Sequence, residues 1–349
     1  MPEGNRFIAV YFFCGGGGMT CGLKQAGIKV IAGVDLDGSV KETYERNNGA
    51  TFIQSDIRRL RSNYFERKFG LKKNDDRLIM VGCSPCQYYS IINTDRSKSQ
   101  KTKSLLMSFA RFVEYYRPGF VLVENVPGIV YTKDSILPKF INKLSSIGYS
   151  SIKKGVLDLS FFGVPQSRKR FSLIATRLNV ELSLPSLDNH RSVVEDFIGV
   201  HNGFPPIPAG FHDESSFQHS CAGLDEKSLK RMKMTPHDGG GRLAWAHDPD
   251  LQLKCYVGKD NSFKDTYGRM WWKKPSPIIT TKFFSVSSGR FSHPVEDRPI
   301  SIREGATLQT FPKSYVFYAN SISGAAKMIG NAVPCEFARR LGAHIQSLV

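Results

Sequence analysis

Three observations predict an α/β fold in which helices cover both faces of a mostly parallel sheet. Short apolar runs alternate with segments of helical spacing from about residue 6 to 178. Two of these runs break into loops, Cys14-Gly15-Gly16-Gly17-Gly18 and Gly82-Cys83-Ser84-Pro85-Cys86-Gln87, where open α/β sheets place their reactive groups. After Leu184 the rhythm stops, with prolines at 185, 205, 206 and 208, so a second, smaller and irregular unit rich in short strands and loops is expected. The boundaries read from this change are 1–185 for the first domain, completed by 319–349, and 186–318 for the second.

Residues 6–13 predict the first strand, because aromatic and branched residues dominate them; the glycine turn follows, and 19–26 continue as a helix. Residues 28–34 are a second strand ending at Asp35-Leu36-Asp37. Such a unit binds nucleotides: glycines let a ligand approach the backbone, a helix N-terminus favours negative groups, and an acid about 20 residues on takes ribose hydroxyls. Consecutive glycines fit the dinucleotide spacing poorly, which disfavours a nicotinamide cofactor; a turn built only for tight packing is the alternative. Residues 51–53, with Asp56 following, and 78–81 give two more strands, and 105–116 a helix. Residues 119–123 are a strand ending in Glu124-Asn125-Val126-Pro127, and 135–147 are helical. Strands at 156–159 and 171–175 flank Gln166-Ser167-Arg168-Lys169-Arg170, and a last helix, 336–347, has apolar positions suited to docking on the first domain.

The chain has 349 residues, and its 41% hydrophobic content supports a packed core. No apolar stretch approaches a membrane span, so no membrane partner is expected. Seven cysteines without paired spacing suit a reducing compartment, and a cytoplasmic location is expected. The excess of 48 Lys+Arg over 31 Asp+Glu, a net +17, points to a polyanionic partner. Residues 87–104 carry Arg96, Lys98, Lys101 and Lys103 against Asp95, and Lys227, Lys230, Arg231 and Lys233 precede Asp238-Gly239-Gly240-Gly241. Either cluster alone can be a solvated face; a basic loop beside a candidate nucleophile suggests a phosphate backbone brought to a thiol.

That nucleophile is Cys86, a thiol just past a buried strand. Cys83-Ser84-Pro85-Cys86 is also a Cys-x-x-Cys, the spacing of redox motifs and half zinc sites. Against that reading, the remaining cysteines supply no second ligand pair, and 87–104 is too polar for the helix that a redox motif opens.

With Gly15 to Gly18, Asp35, Pro85-Cys86-Gln87, Glu124-Asn125-Val126 and Gln166-x-Arg168-x-Arg170 in this order, the chain resembles the DNA cytosine-5 methyltransferases. Residues 303–312 and Gly330-Asn331-Ala332-Val333-Pro334 are similar to the family's ninth and tenth motifs. The resemblance implies a Rossmann-like S-adenosylmethionine-dependent sheet, with the irregular unit as target-recognition domain. It assigns Cys86 to attack on carbon 6 of a cytosine, Glu124 to proton donation at ring nitrogen 3, and Arg168 and Arg170 to orienting the acid and stabilising the ring oxygen. The implied cofactor is S-adenosylmethionine, with S-adenosylhomocysteine as product and no metal. Phe13 would pack on adenine, Gly15, Gly17 and Gly18 would accept the methionine end, Asp35 the ribose and Asp56 the adenine amino group. Pro85, Leu105 and Asn331 would line the rest of the pocket, with Leu36, Ile57 and Ala332 as further cofactor contacts.

A base within a duplex must be flipped out to meet a thiol, at a cost of a few kcal/mol, and a mobile lid would offset that cost. Residues 87–104 fit the lid, with Gln87, Ser90, Ile91, Arg96, Lys98, Lys101 and Lys103 as DNA contacts. In the second domain Lys230, Arg231, Lys233, Arg269, Lys273, Thr280 and Thr281 are expected at DNA, while Trp271 and Trp272 are expected in the core. Three positions depart from the family pattern: Tyr11 where Asp is frequent, Cys14 where a small residue is usual, and Gly305 where Ala or Cys is common. Double-stranded DNA is the expected partner of a prokaryotic, nucleoid-associated monomer, with a restriction endonuclease acting separately. A transfer-RNA methyltransferase of the same fold and an inactive DNA-binding regulator are the competing readings.

Overall fold

The computed structural model of the protein describes residues 7–85, 89, 102 and 104–349. Internal contacts divide the chain into two units, Met1–Asp158 with Lys169–Leu187 and Phe337–Val349, and Leu159–Arg168 with Asp188–Glu336. Residues 319–336, expected with the first unit, lie in the second; the chain returns at Phe337, inside helix Cys335–Ser347.

The first unit holds a seven-stranded sheet: β1 Ile8–Phe12, β2 Lys29–Asp35, β3 Thr51–Gln54, β4 Leu78–Gly82, β5 Phe120–Asn125, β6 Ser151–Asp158 and β7 Lys169–Thr176. Their order is β3-β2-β1-β4-β5-β7-β6. The first five strands are parallel, and β7 runs antiparallel to both β5 and β6. The order reverses between β1 and β4, and a sheet of this kind opens a crevice at that point, outside the carboxyl ends. Every residue of β4 and β5 is buried, because a parallel sheet with two covered faces needs apolar residues in both phases of the pleat. One face carries Val10, Phe12, Met80, Val121 and Val123 in a core with Phe65, Phe109, Phe112 and Phe140. Edge-on aromatic pairs such as Phe12 with Phe109, 5.3 Å between centroids, fill it. The alternate residues Ala9, Tyr11, Ile79, Val81 and Leu122 are equally buried on the opposite face. Gly342 of the last helix lies against Leu23, Ala26 and Ile28 of the first unit. Strand β6 begins earlier than its apolar run, since an edge strand tolerates the exposed Lys153 and Lys154.

The short strands expected in the second unit are replaced by isolated bridges, Gln166 with Ser276 and Ser292 with Arg269 and Pro299, and by 3-10 turns. Buried arginines take over the strands' work of satisfying carbonyls. Arg269 donates to the carbonyls of Met232, Thr235, His293 and Glu296, and pairs with Asp297. Arg290 donates to those of Gly239, Gly240 and Arg269. Helix Ile302–Leu308 starts at a reciprocal cap: Glu304 N–H donates to Ser301 Oγ, and Ser301 N–H to Glu304 Oε2, at 3.0 and 2.7 Å. Arg298 clamps the same carboxylate with two hydrogen bonds of 2.7 and 2.8 Å. A Cβ on Gly305 would stand 2.3 Å from the Phe283 ring, which explains glycine where the family commonly has Ala or Cys.

Burial pushes His293 down to about 4, against the pull of Glu304 and Glu296. Burial would raise Glu304, but the Arg298 charge and hydrogen bonds override it and hold the carboxyl at about 2. In both cases the unfolded chain binds the proton more readily, so stability falls as the pH is lowered. The urea midpoint is expected to drop between pH 6.5 and about 4 as unfolded His293 protonates, and again from 4.5 towards 2 through Glu304. His293→Gln should flatten the first drop in an unfolding series run across pH. Gly305→Ala should cost about 1–3 kcal/mol by overpacking against Phe283, despite alanine's better helix propensity.

Candidate active site

The cofactor end is built where β1 and β2 stop. Phe13, just past β1, has φ 64°, a left-handed conformation that costs a non-glycine residue about 1–2 kcal/mol and collects at functional loops. Gly15 and Gly17 follow at φ 48° and 93°, and a Cβ on Gly15 would meet open space. Asp35, closing β2, fastens this loop: its Oδ2 accepts from Gly15 N–H at 2.8 Å and its Oδ1 from Asp37 N–H at 2.9 Å. Each carboxylate oxygen keeps a further lone pair for a hydroxyl donor. Beside it Leu36 is 66% exposed, an apolar side chain with no place in the core. Open backbone at Gly15, the Asp35 acceptor and an apolar Leu36 surface fit a methyl donor that carries a ribose and a purine. Ile57 is buried, Pro85 is half-buried, and Leu105 packs in the core at the start of helix Leu105–Tyr116. Asp56 is gripped by Arg58, with contacts of 2.6 to 3.1 Å, and the Arg58 hydrogen bonds hold it at about 2. It is an ionised acceptor at neutral pH, as an adenine amino group requires.

The reacting end lies at β5. Glu124 and Asn125 close this strand, and both are buried. Because β7 runs antiparallel, its first residues meet the carboxyl end of β5, and Arg170 Nε reaches Glu124 Oε1 at 3.0 Å. Asn125 Nδ2 donates to Ser84 O and Oγ at 3.1 and 3.2 Å, tying β5 to the segment that leads into Pro85. Cys86, Gln87, Ser90, Ile91, Arg96, Lys98, Lys101 and Lys103 lie outside the described residues.

Arg168, Asn331 and Ala332 belong to the second unit. Arg168 is buried and donates to the carbonyls of Ile279 and Ala332. Gln166 donates to Leu308 O and Gln309 Oε1 and accepts from Ile279 N–H, while Gln309 donates to Ile329 O, so the expected catalytic, ninth and tenth motifs interlock. Asn331 is exposed. Gly330 admits the Thr280-Thr281 backbone where a Cβ would come within 2.4 Å of it.

Two residues expected at DNA are corrected. Arg231 is 5% exposed, donates to Leu251 O and lies over Trp245 and Tyr267; Arg269 is fully buried on the carbonyls described above. Charge density read along the chain could not tell these guanidinium groups from surface ones. Lys230, paired with Glu226 at 3.0 Å, and Lys233 and Lys273 are exposed. Trp271 sits between Lys274 and Arg290, each 4.2 Å from its ring, and Trp272 meets His293 edge-on.

A sheet of this order, with a glycine loop fastened to the acid closing β2, is a Rossmann-like nucleotide-binding fold. The family model for C-5 cytosine-specific DNA methylases matches residues 9–347, and the chain belongs to that family. It is 34% identical over 343 residues to the Type II methylase M.HgiDII of Herpetosiphon aurantiacus, covering 96% of this chain and 93% of that one. It is 29% identical to the Type II methyltransferase M1.BsuMI of Bacillus subtilis, covering 95% and 78%. Among solved structures, one described as a prophage-encoded DNA modification methyltransferase of Escherichia coli aligns with TM-score 0.73 at 21% identity, covering 98% and 99%. The Dnmt2 methyltransferase of S. pombe aligns at 0.63 and 15%, covering 98% and 99%; both likenesses show the fold alone. The protein is a DNA cytosine-5 methyltransferase that uses S-adenosylmethionine. Among the described residues no helix is long and apolar enough to cross a membrane, and no cluster of three or more metal-binding side chains occurs.

Arg269→Ala is expected to cost about 3 kcal/mol or more of stability, since it strips a buried cation from several carbonyls and a carboxylate. Lys233→Ala should leave the urea midpoint in place and weaken DNA binding, measured as a shallower salt dependence of affinity.

Proposed function

We propose that the enzyme methylates a flipped-out cytosine in one specific duplex sequence, by way of a covalent bond between Cys86 and ring carbon 6. The observation that carries this reading is the Glu124–Arg170 pair at 3.0 Å, with Asn125 tethering Ser84 two residues before Cys86. Carbon 5 of cytosine is too electron-poor to take a methyl group directly. Addition of the Cys86 thiolate to carbon 6 makes it nucleophilic, and charge moves towards ring nitrogen 3 and the ring oxygen. Glu124 gives or shares a proton at that nitrogen, held in place by Arg170, while the guanidinium groups of Arg170 and Arg168 favour charge on the oxygen. S-adenosylmethionine would supply an electrophilic methyl group to carbon 5 and leave as S-adenosylhomocysteine; loss of the carbon 5 proton to a base then expels the Cys86 thiolate and restores the ring. Phe13, Gly15, Gly17, Gly18, Asp35, Leu36, Asp56, Ile57, Pro85, Leu105, Asn331 and Ala332 are the residues that would hold it.

Gln87, Ser90, Ile91, Arg96, Lys98, Lys101 and Lys103 would close on the DNA, and Lys230, Lys233, Lys273, Thr280 and Thr281 would meet phosphates or bases from the second unit. Lys230 is available because solvent screens its exposed ion pair with Glu226, which holds it only weakly. We place the enzyme in a prokaryotic cytoplasm, at the nucleoid, as a monomer without a metal. The Type II names of its relatives support a separate endonuclease with the same target.

Duplex DNA carrying 5-fluorocytosine, incubated with S-adenosylmethionine, should give a denaturation-resistant adduct with the parent and none with Cys86→Ala. An equal adduct yield from Cys86→Ala would remove the proposed nucleophile. Bisulfite sequencing of DNA from an expressing host should show conversion blocked within one short motif; methylation scattered without a motif would contradict sequence specificity.

A further inference from the structure

Tyr11 stands where the family frequently has an aspartate, and the catalytic scheme above gives it no task. Pleat and register place it. Tyr11 pairs with Val81, so it shares a sheet face with Cys83, two residues on; Gly82 pairs with Val123, so Cys83 stands beside Glu124. Glu124 in turn pairs with Ser172, which shares that face with Arg170. Side chains from β1, β5 and β7 and from the end of β4 therefore form one polar row, Tyr11, Cys83, Glu124 and Arg170, on the face opposite the phenylalanine core.

Within the row the Tyr11 phenol and the Cys83 thiol are neighbours, and the Cys83 sulfur lies by the Glu124 backbone. Tyr11 is 3% and Glu124 6% exposed, while Cys83 is half-buried. Burial first, and then the neighbouring Cys83, push the Tyr11 phenol far above its ordinary range; burial and then the Glu124 charge push the Cys83 thiol up, against a smaller lowering by Tyr11. Both stay neutral in the working range of pH. The described groups near the Glu124 carboxyl are thus neutral Tyr11 and Cys83 on one side, cationic Arg170 on the other and Ser172 alongside, with Cys14 beyond Tyr11.

We propose that Tyr11 and Cys83 are positioning residues for the catalytic acid: side by side on one sheet face, they form an uncharged floor that fixes the Glu124 carboxyl and keeps water from its inner side. This rests on Glu124 being the acid. A carboxyl beside the Arg170 cation is drawn towards ionisation, and a neutral floor opposes that, leaving a group that can still donate a proton.

The test measures kcat and both KM values across pH for the full chain and its Tyr11→Phe, Cys83→Ala, Cys83→Ser and doubly substituted Tyr11→Phe/Cys83→Ala forms. Each single disruption should lower kcat about tenfold, a fraction of what general acid catalysis supplies, with both KM values held within about twofold. Cys83→Ala, by admitting water that favours the carboxylate, should also move the alkaline limb of kcat to lower pH. Cys83→Ser, which keeps a small polar partner for Tyr11, should restore most of the rate. The double variant should be no slower than the slower single one, because the two residues act as a unit. An unmoved alkaline limb, or losses that multiply in the double variant, would overturn the proposal. If Cys83→Ala does not fold, Tyr11→Phe set against Cys83→Ser decides it: a Tyr11→Phe rate equal to the parent's overturns the pair. Glu124→Gln separates the two readings, since loss of activity there with inert Tyr11 and Cys83 variants rejects only this inference, whereas full activity of Glu124→Gln rejects the acid itself.

Discussion

One reversal of strand direction governs the chemistry. The first five strands are parallel and bring their carboxyl ends to a common edge, which gathers the glycine loop, Asp35, the segment leading to Pro85, and Glu124. An arginine from a sixth parallel strand's beginning would lie at the opposite edge. Because β7 is antiparallel to β5, the start of β7 joins the reactive edge, and Arg170 meets Glu124 there. The pairing follows from topology, and substitution of either residue would leave the strand order intact while emptying the contact that the order exists to make.

Much of the first unit is written openly in the chain. The run at 78–81 has no polar phase because both faces of β4 are covered, and the glycines at 15 and 17 are required by positive φ. Glu124 announces itself as an acid ending an apolar run. Tyr11 and Cys83 were visible only as a departure from pattern and as half of a Cys-x-x-Cys. Their relation depends on register between strands 70 residues apart, which local spacing does not encode.

The second unit was harder to read for a definite reason. Strand prediction uses alternation, which arises because successive side chains of a laddered strand point to opposite faces of the sheet. Here the carbonyls of 232, 235, 239, 240, 293 and 296 are satisfied by the heads of Arg269 and Arg290 instead. Of those arginines, Arg269 is indistinguishable in sequence from a surface cation, so it was expected at DNA. The tell lies in their company: glycines, prolines and carboxylates close by, with few apolar residues to cover.

A region fastened at points rather than along lines has a particular freedom. A strand ladder ties each residue to a neighbour, so an insertion shifts every pairing after it. A guanidinium head gripping several scattered carbonyls leaves the stretches between them unregistered, and these can lengthen, shorten or change residue type while the anchors stay put. Such loops can change without any redesign of the interior that the cations hold.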